Sequence, residues 1–315
     1  MVDFFDNMRY WGNKRNKFLS FVKYYQIMNR SSQLLADLLL PVYFKLTSER
    51  HFLLPRQQGD RKVVISMTTF PARINKVFLV IESLIRQTVK PDKIVLYLTK
   101  SQIADVDSCP QSLKRLLHRG LEIRFCDKPI RSHTKYYGAF HDFPDDIVIT
   151  ADDDIIYRSD FVENLLIFHE KHPKSIICNW AKRIKNTSDG KSIYSQWPEA
   201  GMSLVDQEQP NYSIFGVGGV LYPPKCLYKD WDNSDMIISL CLTADDIWLS
   251  CMAVLNNTSF VFTGYKQNHL PVSISNNVTL LQENYVRNQV CVDNLNAHYL
   301  KELGVEPFVK AGSGI

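Results

Sequence analysis

Residues 144–157 read PDDIVITADDDIIY: a short β-branched run behind Pro144 that delivers the chain into three consecutive carboxylates, Asp152, Asp153 and Asp154. An apolar run of this length, bounded by a turn signal, predicts a buried strand over residues 146–150. Adjacent carboxylates at the end of a buried strand repel one another, and desolvating them costs on the order of several kcal/mol unless a cation neutralises them. Oxygen ligands of this kind suit Mg²⁺ or Mn²⁺, which keep waters and take one or two protein carboxylates plus substrate phosphates. The competing reading is an exposed acidic loop with Asp160 capping the next helix.

Outward from this strand the pattern alternates. Upstream lie VVISM (residues 63–67), an amphipathic helix carried by Ile74, Val77, Phe78, Ile81, Leu84 and Ile85 and closed by Pro91, then KIVLYLT (93–99). A helix around residues 112–118, the strand LEIRFC (121–126) after Gly120, and a short helix over 134–141 complete the series. Strands alternating with helices predict an α/β fold, a Rossmann-type βα array with a mostly parallel central sheet covered on both faces. In such sheets ligands bind at the carboxyl ends of the strands, where the acidic triplet falls. Downstream the pattern loosens into loops carrying Trp180, Tyr194 and Trp197, a glycine-rich segment SIFGVGGVLYPP (213–224), and a helix opening at Asp245. The polar segment RQQGDRK (56–62) predicts a boundary near residue 60: a basic, amphipathic helical extension over 1–60 and one catalytic-sized domain over 61–315.

Composition narrows the class. Hydrophobic residues at 45% and charged residues at 22% argue against both disorder and a polytopic membrane protein. The seven cysteines are odd in number and never form CxxC, which disfavours a disulfide framework or a zinc site and fits a reducing compartment. The N-terminus has acids at Asp3 and Asp6 and no uninterrupted apolar stretch, so no cleaved signal is expected and the cytoplasm is the expected location. Residues 1–60 hold nine Lys and Arg against five Asp and Glu, which accounts for the net charge of +4. Between Asn7 and Ala36 stand six cations (Arg9, Lys14, Arg15, Lys17, Lys23, Arg30) and no acid. Such a stretch fits either peripheral binding to an anionic membrane surface or a helix packed on the main domain with a solvated basic face. The run QLLADLLLPVYFKL (33–46) is interrupted by Asp37 and Pro41 and is shorter than the roughly 20 residues a span needs. No nucleic-acid partner is expected.

The segments VVISMTTFPARI (63–74), SLIRQTVKPDKIVLYL (83–98), PDDIVITADDDIIY (144–157) and TADDIWLS (243–250) resemble the GT-A fold glycosyltransferases, especially the family-2-like enzymes that build bacterial surface polysaccharides. The resemblance covers about residues 62–250. It implies transfer of a sugar from a nucleotide-diphosphate sugar, a UDP-sugar by family frequency, to a hydroxyl of a glycan or lipid-linked glycan. Inverting chemistry in lipopolysaccharide, capsule or O-antigen synthesis is the expectation, on the inner face of the cytoplasmic membrane. In the family's DxD motif the last Asp holds the metal bridging the donor diphosphate, and the first reaches the ribose or the metal; carried over, these are Asp154 and Asp152, with Asp153 between them at the donor site. Asp245 and Asp246 stand where the family commonly has Glu-Asp opening a helix. The resemblance makes Asp246 the catalytic base, while Asp at position 245 departs from the pattern. The alternative for both is that acids in a first helical turn complement the helix dipole, with Thr243 as cap.

The resemblance further implies nucleotide contacts from Thr68, Thr69, Phe70 and Arg73, a C-terminal histidine, His269, completing the metal shell, and an acceptor site beside the glycine-rich segment. Lys135 reads as a point charge against the diphosphate or as a solvated lysine. Trp180 and Trp197 read as sugar-stacking platforms or as core aromatics. Two other functions compete: a haloacid-dehalogenase-type phosphatase, whose nucleophilic Asp ends the first core strand whereas three strands precede Asp152 here, and a catalytically silent nucleotide-binding or membrane scaffold.

Overall fold

The computed structural model describes residues 1–13, 24–48, 52–53, 61–265, 270–272 and 281–313. Among the described residues the chain opens with α1 (Val2–Asn13) and α2 (Tyr24–Leu46). The βα array follows: β1 (Val63–Thr68), α3 (Val77–Ile85), β2 (Lys93–Thr99), α4 (Gln111–Leu117), β3 (Leu121–Cys126), α5 (Thr134–Asp142) and β4 (Ile147–Thr150). The second half holds β5 (Ile155–Ile156), α6 (Phe161–Lys171), β6 (Ile176–Cys178), β7 (Ala181–Arg183), β8 (Glu208–Gln209), β9 (Tyr212–Ile214) and β10 (Val220–Tyr222). It closes with α7 (Ser234–Leu240), α8 (Asp245–Leu255), β11 (Phe260–Phe262), β12 (Leu270–Pro271), α9 (Leu281–Leu303) and α10 (Pro307–Ser313).

Eight strands form the central sheet in the order β3-β2-β1-β4-β10-β6-β11-β8. β3, β2, β1, β4, β6 and β11 run one way, and β10 and β8 run against them. The sheet is therefore mostly parallel, as the alternating sequence predicts. Its two reversed strands arrive through loops, because an antiparallel neighbour needs no helical crossover.

β1, β2 and β4 are nearly continuous apolar runs because both faces are buried, whereas the edge strand β3 carries the partly exposed Glu122 and Arg124. Val63, Ile65 and Met67 of β1 pack with Ile94, Leu96 and Leu98 of β2 and with Ile147 and Ile149 of β4 on one face, under α3 and α6. Val64, Val95 and Val148 face the other way, against Ala139 of α5 and Phe143. Each such side chain contributes roughly 1.5–3 kcal/mol on burial. A second core surrounds the buried Trp248 of α8 and joins Val292 and Leu295 of α9 to Phe308 of α10.

The N-terminal helices share the first core through Phe5, Ala36, Leu40 and Phe44. Arg86 binds α2 to α3: its guanidinium donates to the Phe44 carbonyl at 3.2 Å and to Thr47 Oγ1 at 3.1 Å. Buried Glu82 is its counter-ion and also receives Arg119 at 2.6 Å. α2 continues through Pro41 without a break.

α3 begins at Val77 and ends at Ile85, so Ile74 lies in the preceding turns and Pro91 is not the terminator. The chain leaves the helix early because its polar groups find partners on the loop before α6. Gln87 Nε2 donates to the Arg158 carbonyl at 2.7 Å, and the Thr88 amide donates to the Ser159 carbonyl at 2.8 Å.

Candidate active site

Parallel pairing of β1 with β4 sets Ser66 beside Thr150, and the Ala151 amide extends the ladder to the Ser66 carbonyl at 2.9 Å. The residues that follow both strands therefore emerge side by side. Thr69 Oγ1 donates to Asp153 Oδ2 at 2.5 Å, and Arg73 Nη1 reaches Asp153 Oδ1 at 2.6 Å and Asp154 Oδ2 at 2.9 Å. The Arg73 guanidinium also lies over the Phe70 ring, 5.2 Å from its centroid. Burial pushes the carboxyls of Asp153 and Asp154 upward, and Arg73 opposes the shift in both. Thr68 turns its hydroxyl to the sheet, donating to the Tyr97 carbonyl at 2.8 Å.

α5 brings the second cation. Ser66 Oγ donates to the Lys135 carbonyl at 2.5 Å, which pins the first turn of α5 to β1. The buried Lys135 ammonium then stands 2.7 Å from Asp152 Oδ1 and 2.9 Å from Asp245 Oδ2. Burial works against its charge, but Asp152, Asp245 and Asp246 outweigh that and hold the ammonium well above the ordinary lysine range. Beneath it His133 is wholly buried and lowered to about 4 by desolvation, hence neutral at pH 7. With Nε2 2.9 Å from the Cys241 carbonyl, the tautomer must carry its proton there, leaving Nδ1 to accept from the Tyr136 hydroxyl at 2.8 Å.

Asp245 and Asp246 open α8. Neither Thr243 nor Asp160 caps a helix as the sequence allowed. Ala244 is the residue before α8 and has no side-chain cap, while Thr243 Oγ1 lies 3.8 Å from Cys291 Sγ. Asp160 makes no capping bond to α6 because its carboxylate receives Arg158 Nε at 3.2 Å and the Tyr265 hydroxyl. The two acids of α8 are driven apart electrostatically. Burial opposes ionisation of Asp245, but Lys135 and His133 outweigh it and hold the carboxyl at about 2. Burial and the neighbouring Asp245 charge push Asp246 up to about 8. Paired carboxyls with separated affinities are a recurrent arrangement for acid–base chemistry.

The glycine-rich segment meets this pair directly. The Gly216 amide donates to Asp246 Oδ1 at 2.9 Å, and a Cβ at this position would lie 2.9 Å from that oxygen and 3.3 Å from Lys135 Nζ. Gly219 follows with φ of +80°, a conformation that favours glycine, where the chain turns into β10.

The five carboxylates and the two cations line one cavity of about 570 Å³. Of the residues singled out in the sequence, Thr68, Thr69, Phe70, Arg73, Lys135, Asp152, Asp153, Asp154, Asp245 and Asp246 all reach it. His269 lies outside the described residues. Sequence reasoning missed Thr99, Gln102, Arg131 and Ser132 on the same wall. Thr99 closes β2, which pairs with β1, so its arrival at the carboxyl edge was readable from strand order alone. Arg131 carried no signal; it adopts φ of +54° in the turn before α5. Trp197 is core, packed against Tyr194 and Phe308, whereas Trp180 is partly exposed. All seven cysteines are buried thiols.

The carboxylates leave room for a hard cation. Lys135 takes Oδ1 of Asp152 and Arg73 takes Oδ2 of Asp154, so the second oxygen of each carboxylate stays outside these ion pairs, on residues that line the cavity. Two carboxylate oxygens, completed by water and phosphate, are a donor set that Mg²⁺ or Mn²⁺ accepts. Among the described residues no three His, Cys, Asp or Glu side chains converge into a preformed metal cage.

No protein-family model matches the chain, and no curated protein sequence matches it. Among solved structures it is similar to the mannosyltransferase PcManGT from Pyrobaculum calidifontis in complex with GDP-mannose and Mn²⁺, at 12% identity and a TM-score of 0.48, covering 89% of this chain and 78% of that one. It is also similar to S. aureus TarS, at 14% identity and a TM-score of 0.43 over 76% of this chain and 72% of that one. HddC from Yersinia pseudotuberculosis aligns at 14% identity with a TM-score of 0.31, over 51% of this chain and 76% of that chain.

Proposed function

We propose that the chain is a glycosyltransferase that moves a sugar from a nucleotide-diphosphate sugar to a hydroxyl of a glycan or lipid-linked glycan. The observation that carries this is the convergence of Asp152, Asp153, Asp154, Asp245 and Asp246 with Lys135 and Arg73 around one cavity at the carboxyl edge of the sheet. Five carboxylates with so few cations favour a ligand that brings positive charge, and a nucleotide diphosphate arriving with a divalent ion does so. Asp152 and Asp154 would hold Mg²⁺ or Mn²⁺, whose charge would stabilise a departing diphosphate.

The chain's own groups divide the remaining work. Arg73 and Lys135 hold the triplet in place, and with Thr68, Thr69 and Phe70 they form the nucleotide side of the cavity. In this reading Asp246, held by the Gly216 amide, takes the proton from the acceptor hydroxyl as that oxygen bonds the anomeric carbon and the bond to the diphosphate breaks, an inverting course. Asp245, ionised against Lys135, keeps Asp246 basic. In this reading the donor is a UDP-sugar, the product belongs to lipopolysaccharide, capsule or O-antigen synthesis, and the enzyme works at the cytoplasmic face of the membrane.

The test is calorimetric titration of UDP, GDP and CMP with and without Mn²⁺ into wild type and Asp154→Asn. Metal-dependent binding of one nucleotide that the variant loses supports the donor site; absence of binding by all three overturns it and returns attention to phosphatase or scaffold functions.

A further inference from the structure

Helix α2 is apolar on two sides. Ala36, Leu40 and Phe44 enter the core, yet Leu34, Leu38 and Leu46 are 70%, 68% and 77% exposed, with Ile27, Leu35 and Val42 exposed beside them. At about 100° per residue these positions share one arc, opposite Ala36 and Leu40, that extends about 28 Å along the axis. An exposed helix face in a globular protein ordinarily carries charge, and a continuous apolar stripe of this kind marks an interaction surface. The helix is firmly seated, with Gln33 Nε2 donating to the Pro271 carbonyl at 2.8 Å and Arg86 to the Phe44 carbonyl at 3.2 Å. Its outward leucines are thus displayed by a docked helix.

Charge selects the occupant. The sequence between Asn7 and Ala36 holds six cations and no acid, and Arg30 and Lys45 on α2 are exposed. A second copy of the chain would bring the same positive charge to the contact, whereas an anionic bilayer offers the opposite charge and an apolar interior together. No single helix among the described residues is long and apolar enough to cross a membrane, so the fitting geometry is a helix lying in the interface. We infer that the outward face of α2 docks on an anionic lipid bilayer, its leucines entering the acyl boundary and Arg30 and Lys45 meeting lipid phosphates. This deepens the membrane-side setting proposed above and does not depend on the transfer chemistry.

The experiment is co-sedimentation of the full chain with vesicles of phosphatidylcholine alone or mixed with phosphatidylglycerol, for wild type, Leu34→Glu and Leu38→Glu, with oligomeric state read by light scattering. Wild type should partition onto the anionic vesicles, and each variant should lose at least about tenfold of that partitioning while keeping its thermal melt. Because the substituted side chains are exposed, the variants fold. Equal partitioning of variants and wild type, equal binding to the neutral vesicles, or a dimer that these substitutions dissociate would each overturn the inference. Nucleotide titration of the same samples keeps failure of this surface separate from failure of the donor site.

Discussion

The backbone amide of Gly216 donates to Asp246 Oδ1 at 2.9 Å, so a loop glycine holds a helix-opening acid that lines the cavity. If Asp246 is the base, Asp246→Asn should lower the transfer rate by about 10²–10⁴-fold while nucleotide binding survives. Gly216→Ala should lower the rate too, since its Cβ would press on Asp246 Oδ1 and Lys135 Nζ. Steady-state kinetics beside calorimetry separates the two effects; unchanged turnover in Asp246→Asn removes that residue from the mechanism.

The same carboxyl predicts a pH profile. Burial and Asp245 push Asp246 up to about 8, so kcat/KM should rise with pH and level off above that value. Asp245→Asn removes a like charge, and the rising limb should then move to lower pH. For stability the direction reverses. A carboxyl whose folded affinity is raised binds more protons folded than unfolded, so its contribution weakens as pH rises from about 4 to about 8. Thermal melts of wild type should fall across that window more steeply than those of Asp246→Asn.

Lys135 is the counter-ion shared by Asp152 and Asp245. Lys135→Met leaves those acids uncompensated beside a buried alkyl chain, and the melt should show a loss on the order of 3–5 kcal/mol together with loss of nucleotide binding. Lys135→Arg should rescue poorly, because a planar fork does not fill the place of a compact ammonium between two carboxylates.

Away from the cavity, Glu82 balances Arg86 and Arg119 inside the first core. Glu82→Ala removes the carboxylate that two buried guanidinium groups share and should destabilise the chain by about 3–5 kcal/mol in denaturant titration. Nucleotide affinity, measured well below the transition, should stay unchanged. A matched loss of affinity would show that this cluster is coupled to the site.

Local chemistry made much of the architecture legible. β2 and β3 span the segments expected for them because KIVLYLT is an apolar run and LEIRFC alternates apolar with charged residues, each closed by turn residues at both ends. The triplet could be placed because a strand end in a βα array is a defined edge. The end of α3 was misplaced for a complementary reason: its termination depends on the distant Arg158 and Ser159 carbonyls, which pattern does not register.

Sequence by itself determined the alternation of elements, the acidic strand end and the acidic pair opening α8, since each rests on neighbours within a few residues. Only the tertiary structure decided that Lys135 lies between Asp152 and Asp245, that Gly216 holds Asp246, that Arg73 clamps Asp153 and Asp154, and that α2 keeps an apolar face outward. Those contacts join residues of different elements, most of them dozens of positions apart. Their energies depend on distance and burial, quantities that the order of residues does not contain until the chain has packed.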